Sequence, residues 1–126
     1  MIEERIKALL ARMTLAEKIG QMSQVNASQG YAPDYLADDL RAGRIGSVLN
    51  VVDIDVINEL QRIAVEESRL GIPLMVGRDV IHGFKTIMPI PLGQAATWNP
   101  GLVRDGARVA AGEAASAGVN WTFAPM

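Results

Sequence analysis

Residues 71–93, GIPLMVGRDVIHGFKTIMPIPLG, join a short apolar run to a dense group of polar side chains. The run 72–76 has the length of a buried strand, and Gly71 before it is typical of a helix end. Directly after the run come one acid, two bases and the only histidine of the chain, which are Asp79, Arg78, Lys85 and His82. Parallel α/β proteins place their sites at the carboxyl ends of strands. The stretch therefore predicts a strand, and the position of Asp79 just past its end suits contact with a ligand.

The segments on either side of this stretch predict two more strands, separated from it by helices. Residues 44–52 (RIGSVLNVV) and 119–123 (VNWTF) are short and rich in β-branched or aromatic residues, as strands are. The predicted helices are 53–70, which Asp53 can cap, and a helix through Ala117, which Asn99 can cap and Pro100 can begin. Strands that alternate with helices predict crossover connections and a parallel sheet. Residues 44–126 are thus predicted to form the β-α-β-α-β unit of an α/β fold.

The first third of the chain, residues 1–43, is predicted to be a helical lead-in. Apolar residues at helical spacing indicate a helix at 2–12. A second helix should follow, because Thr14 and Glu17 have the spacing of a capping box. Residues 24–32 (QVNASQGYA) are polar and are interpreted as a loop. A short helix is expected at 33–41, since proline is well suited to the first helical position.

The composition excludes several classes of function. The 126 residues are 49% hydrophobic, which suffices for one domain with a core, and a net charge of −2 without a basic cluster argues against nucleic-acid binding. No apolar run approaches the roughly 20 residues of a membrane span. One histidine and no cysteine make a poor zinc site, so we expect no metal and no cofactor. The start lacks the order of a signal peptide, which predicts a cytoplasmic protein, or a periplasmic or secreted one if an export signal was removed.

The polar loop after residue 76 allows more than one interpretation. Asp79 can contact a ligand, or it can cap a turn or pair with Arg78 or Lys85. A zinc site would need a second histidine or a cysteine, and nucleophilic catalysis would need a suitably placed serine. His82 is therefore interpreted as a hydrogen-bonded structural residue. The two cations can hold an anion or hydroxyl groups, or form surface ion pairs. Residue types and spacing alone leave these alternatives open.

The side chains outside this loop are given structural interpretations. Five glutamates lie on predicted helices and are expected on solvated faces or in pairs four residues apart: Glu17, Glu59, Glu66, Glu67 and Glu113. Trp98 stands beside a helix cap and is expected to pack, whereas Trp121 alternates within a strand and can face either side. No two carboxylates stand out as flanking one pocket.

Four motifs together resemble the amino-terminal part of bacterial β-glucosidases of glycoside hydrolase family 3. They are RMTLAEKIGQM (12–22), GIPLMVGRDVIHGFKTIMPIPLG (71–93), ATWNPGLV (96–103) and AGVNWTFAPM (117–126), in this order. The likeness runs from about residue 5 to residue 126, nearly the whole chain. The combination of the first motif with Asp-Val-x-His-Gly and a terminal Ala-Pro-Met is specific to the family.

The resemblance implies a first domain of the (β/α)8 type, of which this chain would form the amino-terminal portion. It implies exo-acting hydrolysis of β-linked glucosides with retention of configuration, and no metal or organic cofactor. In such a reaction one carboxylate attacks the anomeric carbon and a second acts as acid and then base, about 5–5.5 Å away. The substrate would be a β-glucoside or an oligosaccharide.

Few functional residues carry over from the family to this sequence. Asp79 matches the aspartate of Asp-Val-x-His-Gly, which accepts hydrogen bonds from sugar hydroxyls in the −1 subsite. His82 and Gly83 match the same motif and would shape the turn, and Pro89 and Pro91 match the connector after it. The catalytic nucleophile and the acid/base glutamate have no counterpart in residues 1–126. The chain is thus expected to supply one wall of the −1 subsite, to contain no catalytic carboxylate and to be inactive alone.

The open edges of a three-stranded parallel sheet suggest what else must be present. We expect the remainder of the barrel, or another copy of the chain, to cover these edges. Two alternatives to a part of a β-glucosidase remain at this point. One is a non-catalytic partial-barrel scaffold that assembles with itself, and the other is a small module that binds sugars or anions through Asp79, Arg78 and Lys85.

Overall fold

Four strands form one parallel sheet in the computed structural model, which describes residues 1–27 and 35–124. The strands are β1 (Gln24–Asn26), β2 (Ser47–Leu49), β3 (Met75–Arg78) and β4 (Trp121–Thr122), in that spatial order. The helices are α1 (Ile2–Arg12), α2 (Leu15–Gln21), α3 (Tyr35–Arg41), α4 (Ile54–Arg62), α5 (Pro91–Ala95) and α6 (Pro100–Ser116), and a π-helical segment, Ile63–Glu67, continues α4. Since all neighbouring strands are parallel and separated by helices, their carboxyl ends meet at one edge of the sheet.

The sheet buries one face against the helices. Val48 of β2 is aligned with Val76 of β3, and both side chains are fully buried. The same core cluster includes Ile57 and Leu60 of α4 and Ala114 of α6. The alternation of a strand places these valines on one side and their neighbours on the other. On the opposite face Met75 and Trp121 are exposed in this chain.

The helix caps predicted from the sequence are confirmed. Asp53 accepts hydrogen bonds from the backbone N–H groups of Asp55 and Val56, at 3.0 and 3.1 Å. Asn99 likewise accepts hydrogen bonds from the backbone N–H groups of Gly101 and Leu102 in the first turn of α6. These side chains satisfy donors that a helix start leaves without partners, so short local patterns suffice to predict them.

The interpretation of residues 24–32 as a loop is wrong for 24–26, which form β1. Val25 is aligned with Val48 in a parallel ladder, and Ala27 N–H extends the pairing to the Leu49 carbonyl at 3.0 Å. The backbone hydrogen bonds of this strand come from a neighbour more than 20 residues away in sequence. Propensity carries no information about such a distant partner, so the polar composition of this segment predicts a loop.

The strand predicted at 72–76 lies further along the chain, at Met75–Arg78. The reason is a side chain on α4: Gln61 donates to the Leu74 carbonyl at 2.7 Å and accepts from the Leu74 N–H at 3.0 Å. Because Gln61 takes both backbone groups of Leu74, the sheet ladder starts one residue later. The strands predicted at 44–52 and 119–123 are likewise confirmed in shorter form.

The helical lead-in is only partly packed. Helix α1 is present as predicted, but its apolar residues Ile2, Ile6 and Leu10 are all exposed. Helix α3 confirms most of the predicted short helix, and the start predicted at Pro33 lies outside the described residues. Among the described helices, none is long and apolar enough to cross a lipid bilayer.

An ion pair joins α2 to the segment after the π-helix. Arg69 donates to both carboxylate oxygens of Glu17, at 2.8 and 2.6 Å, and also to the Arg12 carbonyl at 2.9 Å. Glu17 also caps α2 together with Thr14, as the capping box predicts. The hydrogen bond from Arg69, and then the one from the Thr14 backbone, lowers the pKa of Glu17 from 4.5 to about 2. The expectation that Glu17 lies on a solvated face is therefore wrong.

This pair predicts a loss of stability at acidic pH. The pKa of Glu17 is lower in the folded chain than in the unfolded one, so the unfolded chain binds more protons as the pH falls. The stabilising contribution is thus complete above pH 4.5 and is lost as the pH falls towards 2. Urea unfolding at several pH values should show this dependence. Glu17→Gln keeps a capping-box residue but no charge, so its stability should vary less across that window. Parallel pH dependence in the two proteins would contradict the assignment.

Candidate functional site

Polar side chains occupy the ends of three neighbouring strands and form a hydrogen-bond chain. Asn26 ends β1, Asn50 directly follows β2, and Arg78 ends β3. Arg78 Nη1 donates to Asn50 Oδ1 at 3.0 Å, and Asn50 Nδ2 donates to Asn26 Oδ1 at 3.0 Å. We call these three residues the strand-end chain. It joins the three strands at the edge where parallel α/β proteins place their sites.

Two members of the strand-end chain, Asn26 and Asn50, are not predicted as site residues by the sequence. Asn26 was included in a predicted loop, and Asn50 lay inside a predicted strand. A signal does exist for Asn50, since asparagine is the residue other than glycine that most readily adopts a positive φ. Asn50 has φ +69°, which ends β2 at Leu49 and turns the amide group towards the neighbouring strand ends.

Asp79 is the first residue after β3 and its side chain is exposed. Within the described part of the chain, no hydrogen bond or ion pair is formed by its carboxylate. Arg78 is engaged with Asn50, and the exposed Lys85 makes no ion pair within these same residues. Among the described residues, Asp79 therefore forms neither of the ion pairs that the sequence allowed, with Arg78 or with Lys85. A free carboxylate remains at the carboxyl end of a strand.

The segment that follows Asp79 folds into a tight turn around Gly83. The backbone of Gly83 forms β-bridges with Ile81 and Ile87, and the Met88 N–H donates to the His82 carbonyl at 2.8 Å. Gly83 has φ +116°, and an added Cβ would lie 2.0 Å from the Thr86 carbonyl oxygen. His82 takes part through its main chain, while its buried Nδ1 has no hydrogen-bond partner in the described structure. The turn therefore requires glycine at residue 83.

Helix α6 holds this turn through Glu113. The carboxylate accepts from the backbone N–H groups of Lys85 and Thr86, both at 2.8 Å, and from the Thr86 hydroxyl at 2.5 Å. These hydrogen bonds, with that of the Thr86 hydroxyl first, lower the pKa of Glu113. The expectation of a solvated Glu113 is wrong, because its partners lie 27 and 28 residues earlier and helical spacing says nothing about them.

Of the other glutamates and the two tryptophans, some lie as expected and others do not. Glu59 and Glu66 pair with Arg62 of the same helix, as expected for solvated faces. Glu67 pairs with Arg62 and also accepts a hydrogen bond from Arg41 Nε of α3 at 2.6 Å. Trp98 is 93% exposed, so the expectation that it packs is wrong for this chain. Trp121 lies on the exposed sheet face and its ring makes a T-shaped contact with that of Phe123, with 4.9 Å between the ring centroids.

The free Asp79 carboxylate has two oxygen atoms that can accept hydrogen bonds from hydroxyl groups. Where the chain is described, no group of three or more histidine, cysteine or acidic side chains could hold a metal ion. A cavity of about 20 Å³ lies beside Glu17 and Arg69, lined by Gly43, Ile45 and Ile72. These last residues precede β2 and β3, so the cavity is at the amino-terminal end of the strands. It has room for about one water molecule and none for a sugar.

A comparison with protein-family models finds one family over most of the chain. Residues 14–126 match the model described as the glycosyl hydrolase family 3 N-terminal domain. Among curated proteins, the chain is 39% identical over 118 residues to the periplasmic beta-glucosidase of Salmonella typhimurium. It is 29% identical over 146 aligned residues to the lysosomal beta glucosidase of Dictyostelium discoideum. Each alignment includes 94% of this chain.

Solved structures show the same likeness in three dimensions. The beta-glucosidase from Listeria innocua superposes on the whole chain with a TM-score of 0.84 and 35% sequence identity. That protein has been solved in complex with gluconolactone and glucose, and a mutant of it in complex with laminaribiose. The chain spans 15% and 18% of the two curated relatives and 19% of the Listeria chain.

Proposed function

We propose the function from one premise: the chain belongs to glycosyl hydrolase family 3, whose N-terminal domain model matches residues 14–126. The predicted fold class is confirmed with it, an α/β fold of the (β/α)8 type with parallel strands and crossover helices. We propose that the chain is part of a retaining, exo-acting β-glucosidase. Residues 1–126 form the amino-terminal portion of its barrel domain, and they supply one wall of the −1 sugar subsite.

The free carboxylate of Asp79 is the observation that supports this proposal. It is exposed at the carboxyl end of β3, and no described side chain competes for its oxygen atoms. An ionised carboxylate can accept hydrogen bonds from two neighbouring hydroxyls, and such charge-assisted bonds are stronger than neutral ones. A terminal glucose unit offers adjacent hydroxyl groups of this kind. Asp79 is therefore proposed to bind the sugar in the −1 subsite.

Similarity to sugar-binding relatives supports the same substrate class. The Listeria protein was solved with glucose and with laminaribiose, and its alignment includes every residue of this chain. The Salmonella relative is named a beta-glucosidase. We propose a β-glucoside or an oligosaccharide as the substrate, and no nucleic acid or membrane as a partner.

The carboxylates of this chain are not proposed as the catalytic pair. Retention needs two carboxyl groups about 5–5.5 Å apart across the bond to be broken. Glu113 is occupied by three hydrogen bonds from the turn, and Glu17 is paired with Arg69. Asp79 binds and orients the sugar but neither attacks nor protonates it. We propose that both catalytic carboxylates lie outside residues 1–126 and that the reaction needs no metal or organic cofactor.

The open sheet edges are proposed to pair with the rest of the barrel. Among the described residues β1 and β4 each pair on one side only, which leaves backbone donors and acceptors free on the other. Exposed Met75 and Trp121 lie on the sheet face opposite the helices, as expected if further strands enclose this face. Both observations fit closure by the same polypeptide, and assembly of identical copies is the alternative.

The proposal predicts activity only in the intact enzyme. A protein with these residues and the full length of its relatives should hydrolyse p-nitrophenyl β-glucoside and release glucose with retained configuration. The 126-residue chain alone should give no hydrolysis above background, because it lacks the catalytic pair. Its mass should be measured under denaturing and native conditions beside the assay, since a native multiple would favour a self-assembling scaffold. Turnover by the purified short chain that disappears in Asp79→Ala would refute the proposal.

A further inference from the structure

Arg78 is the nearest cation in sequence to Asp79 but is bonded to another strand end. Consecutive residues have Cα atoms about 3.8 Å apart, well within the reach of an arginine side chain. An ion pair is nevertheless not formed between Arg78 and Asp79 in the described structure. The guanidinium donates instead to Asn50 Oδ1, 3.0 Å away.

Asn50 is held so that it can accept this hydrogen bond. Its side-chain amide donates to Asn26 Oδ1 at 3.0 Å, which directs the remaining Oδ1 towards Arg78. Its backbone N–H donates to the Gly77 carbonyl of β3 at 3.0 Å. The positive φ of +69° is tolerated by asparagine and costs most other residues more. Main chain and side chain thus both place Asn50 between β1 and β3.

We propose that Asn50 is a positioning residue, which anchors the Arg78 guanidinium and thereby leaves the Asp79 carboxylate free for sugar hydroxyls. The inference rests on the proposed sugar-binding role of Asp79. A guanidinium released from Asn50 would pair with the adjacent carboxylate, and a sugar would have to displace it before binding. Exposed ion pairs are weak, so the competition should weaken sugar binding by about two- to fivefold.

The first test is Asn50→Gly in the intact enzyme. Glycine adopts the same positive φ without strain, so this variant removes the amide group and preserves the backbone. Calorimetry with glucose should show a dissociation constant about two- to fivefold above that of the wild type. A crystal structure of the variant should show the Arg78 guanidinium within ion-pair distance of Asp79.

The decisive test is to remove the released cation. Arg78→Met in the Asn50→Gly background keeps much of the aliphatic stem but no charge, and should restore glucose binding to near the wild-type value. A merely structural role for Asn50 predicts the opposite, since a second lost contact would weaken binding further or leave it unchanged. Lys85→Ala in the same background is the matched control. It removes an exposed cation six residues after Asp79 in the sequence and should give no restoration.

Several results would overturn the inference. Wild-type affinity in Asn50→Gly would show that Arg78 does not compete, and failure of Arg78→Met to restore binding would show that Arg78 is not the competitor. A loss of glucose binding in Arg78→Met alone that equals the loss in Asn50→Gly would also refute the inference. If the wild-type enzyme neither binds glucose nor hydrolyses β-glucosides, the proposed function fails instead. The crystal structure of Asn50→Gly then still tests whether the anchor controls Arg78.

Discussion

Replacing Asp79 by asparagine should lower kcat/KM for a β-glucoside by about 10- to 150-fold in the intact enzyme. The change removes the charged group that is proposed to accept hydrogen bonds from the sugar, and such bonds contribute roughly 1.5–3 kcal/mol. The amide retains the size of the carboxylate but has a single acceptor oxygen and no charge. Steady-state kinetics with p-nitrophenyl β-glucoside, together with inhibition by glucose, would measure the loss.

The matched control for this variant is Asp105→Asn. Asp105 lies on α6 and pairs only with Arg108 among the described residues, through an exposed contact three residues away. The same chemical change there should leave kcat/KM unaltered, because exposed pairs of this kind contribute little. An unchanged kcat/KM in Asp79→Asn would remove Asp79 from the sugar site. A loss of similar size in both variants would point to general destabilisation.

Replacing Gly83 by alanine should destabilise the fold by about 3 kcal/mol. Two costs add up at this position: a φ of +116° is strained for any residue with a Cβ, and that Cβ would lie 2.0 Å from the Thr86 carbonyl oxygen. Backbone strain and overpacking each typically cost about 1–3 kcal/mol. The obstacle is backbone that Glu113 holds through the Thr86 N–H, so it cannot move aside without breaking that bond.

Gly112→Ala is a comparison variant for which we expect a change in the free energy of unfolding of opposite sign. Gly112 lies within α6, and an added Cβ would meet nothing within 4 Å. Alanine there should stabilise the chain by about 0.5–1 kcal/mol, because glycine is a poor helix former. The free energy of unfolding in urea would distinguish the two variants by sign. A cost below about 1 kcal/mol for Gly83→Ala would show that the turn does not need a positive φ at residue 83.

The sequence determined those features that depend on residues close together in the chain. The capping side chains Thr14, Asp53 and Asn99 satisfy donors two or three residues away, so their patterns predicted the starts of three helices correctly. Alternation of helices with apolar runs was enough for a parallel α/β sheet, because each pattern has its own period. The family motifs added the barrel type and the proposed role of Asp79, although spacing alone left several roles open for that residue.

Only the tertiary structure decided which distant groups meet. Pairing with β2 makes a strand, β1, of a polar segment, and the hydrogen bonds of Gln61 to Leu74 shift the start of β3. Glu113 binds the backbone of a turn nearly 30 residues earlier in the sequence. The tertiary structure also joined Asn50 to Arg78, which are 28 residues apart, and so determined that Asp79 has no partner among the described residues. The physical reason is the same in each case. A hydrogen bond depends on where its two groups lie in space, and for distant residues that position follows from the packing of the whole sheet and its helices.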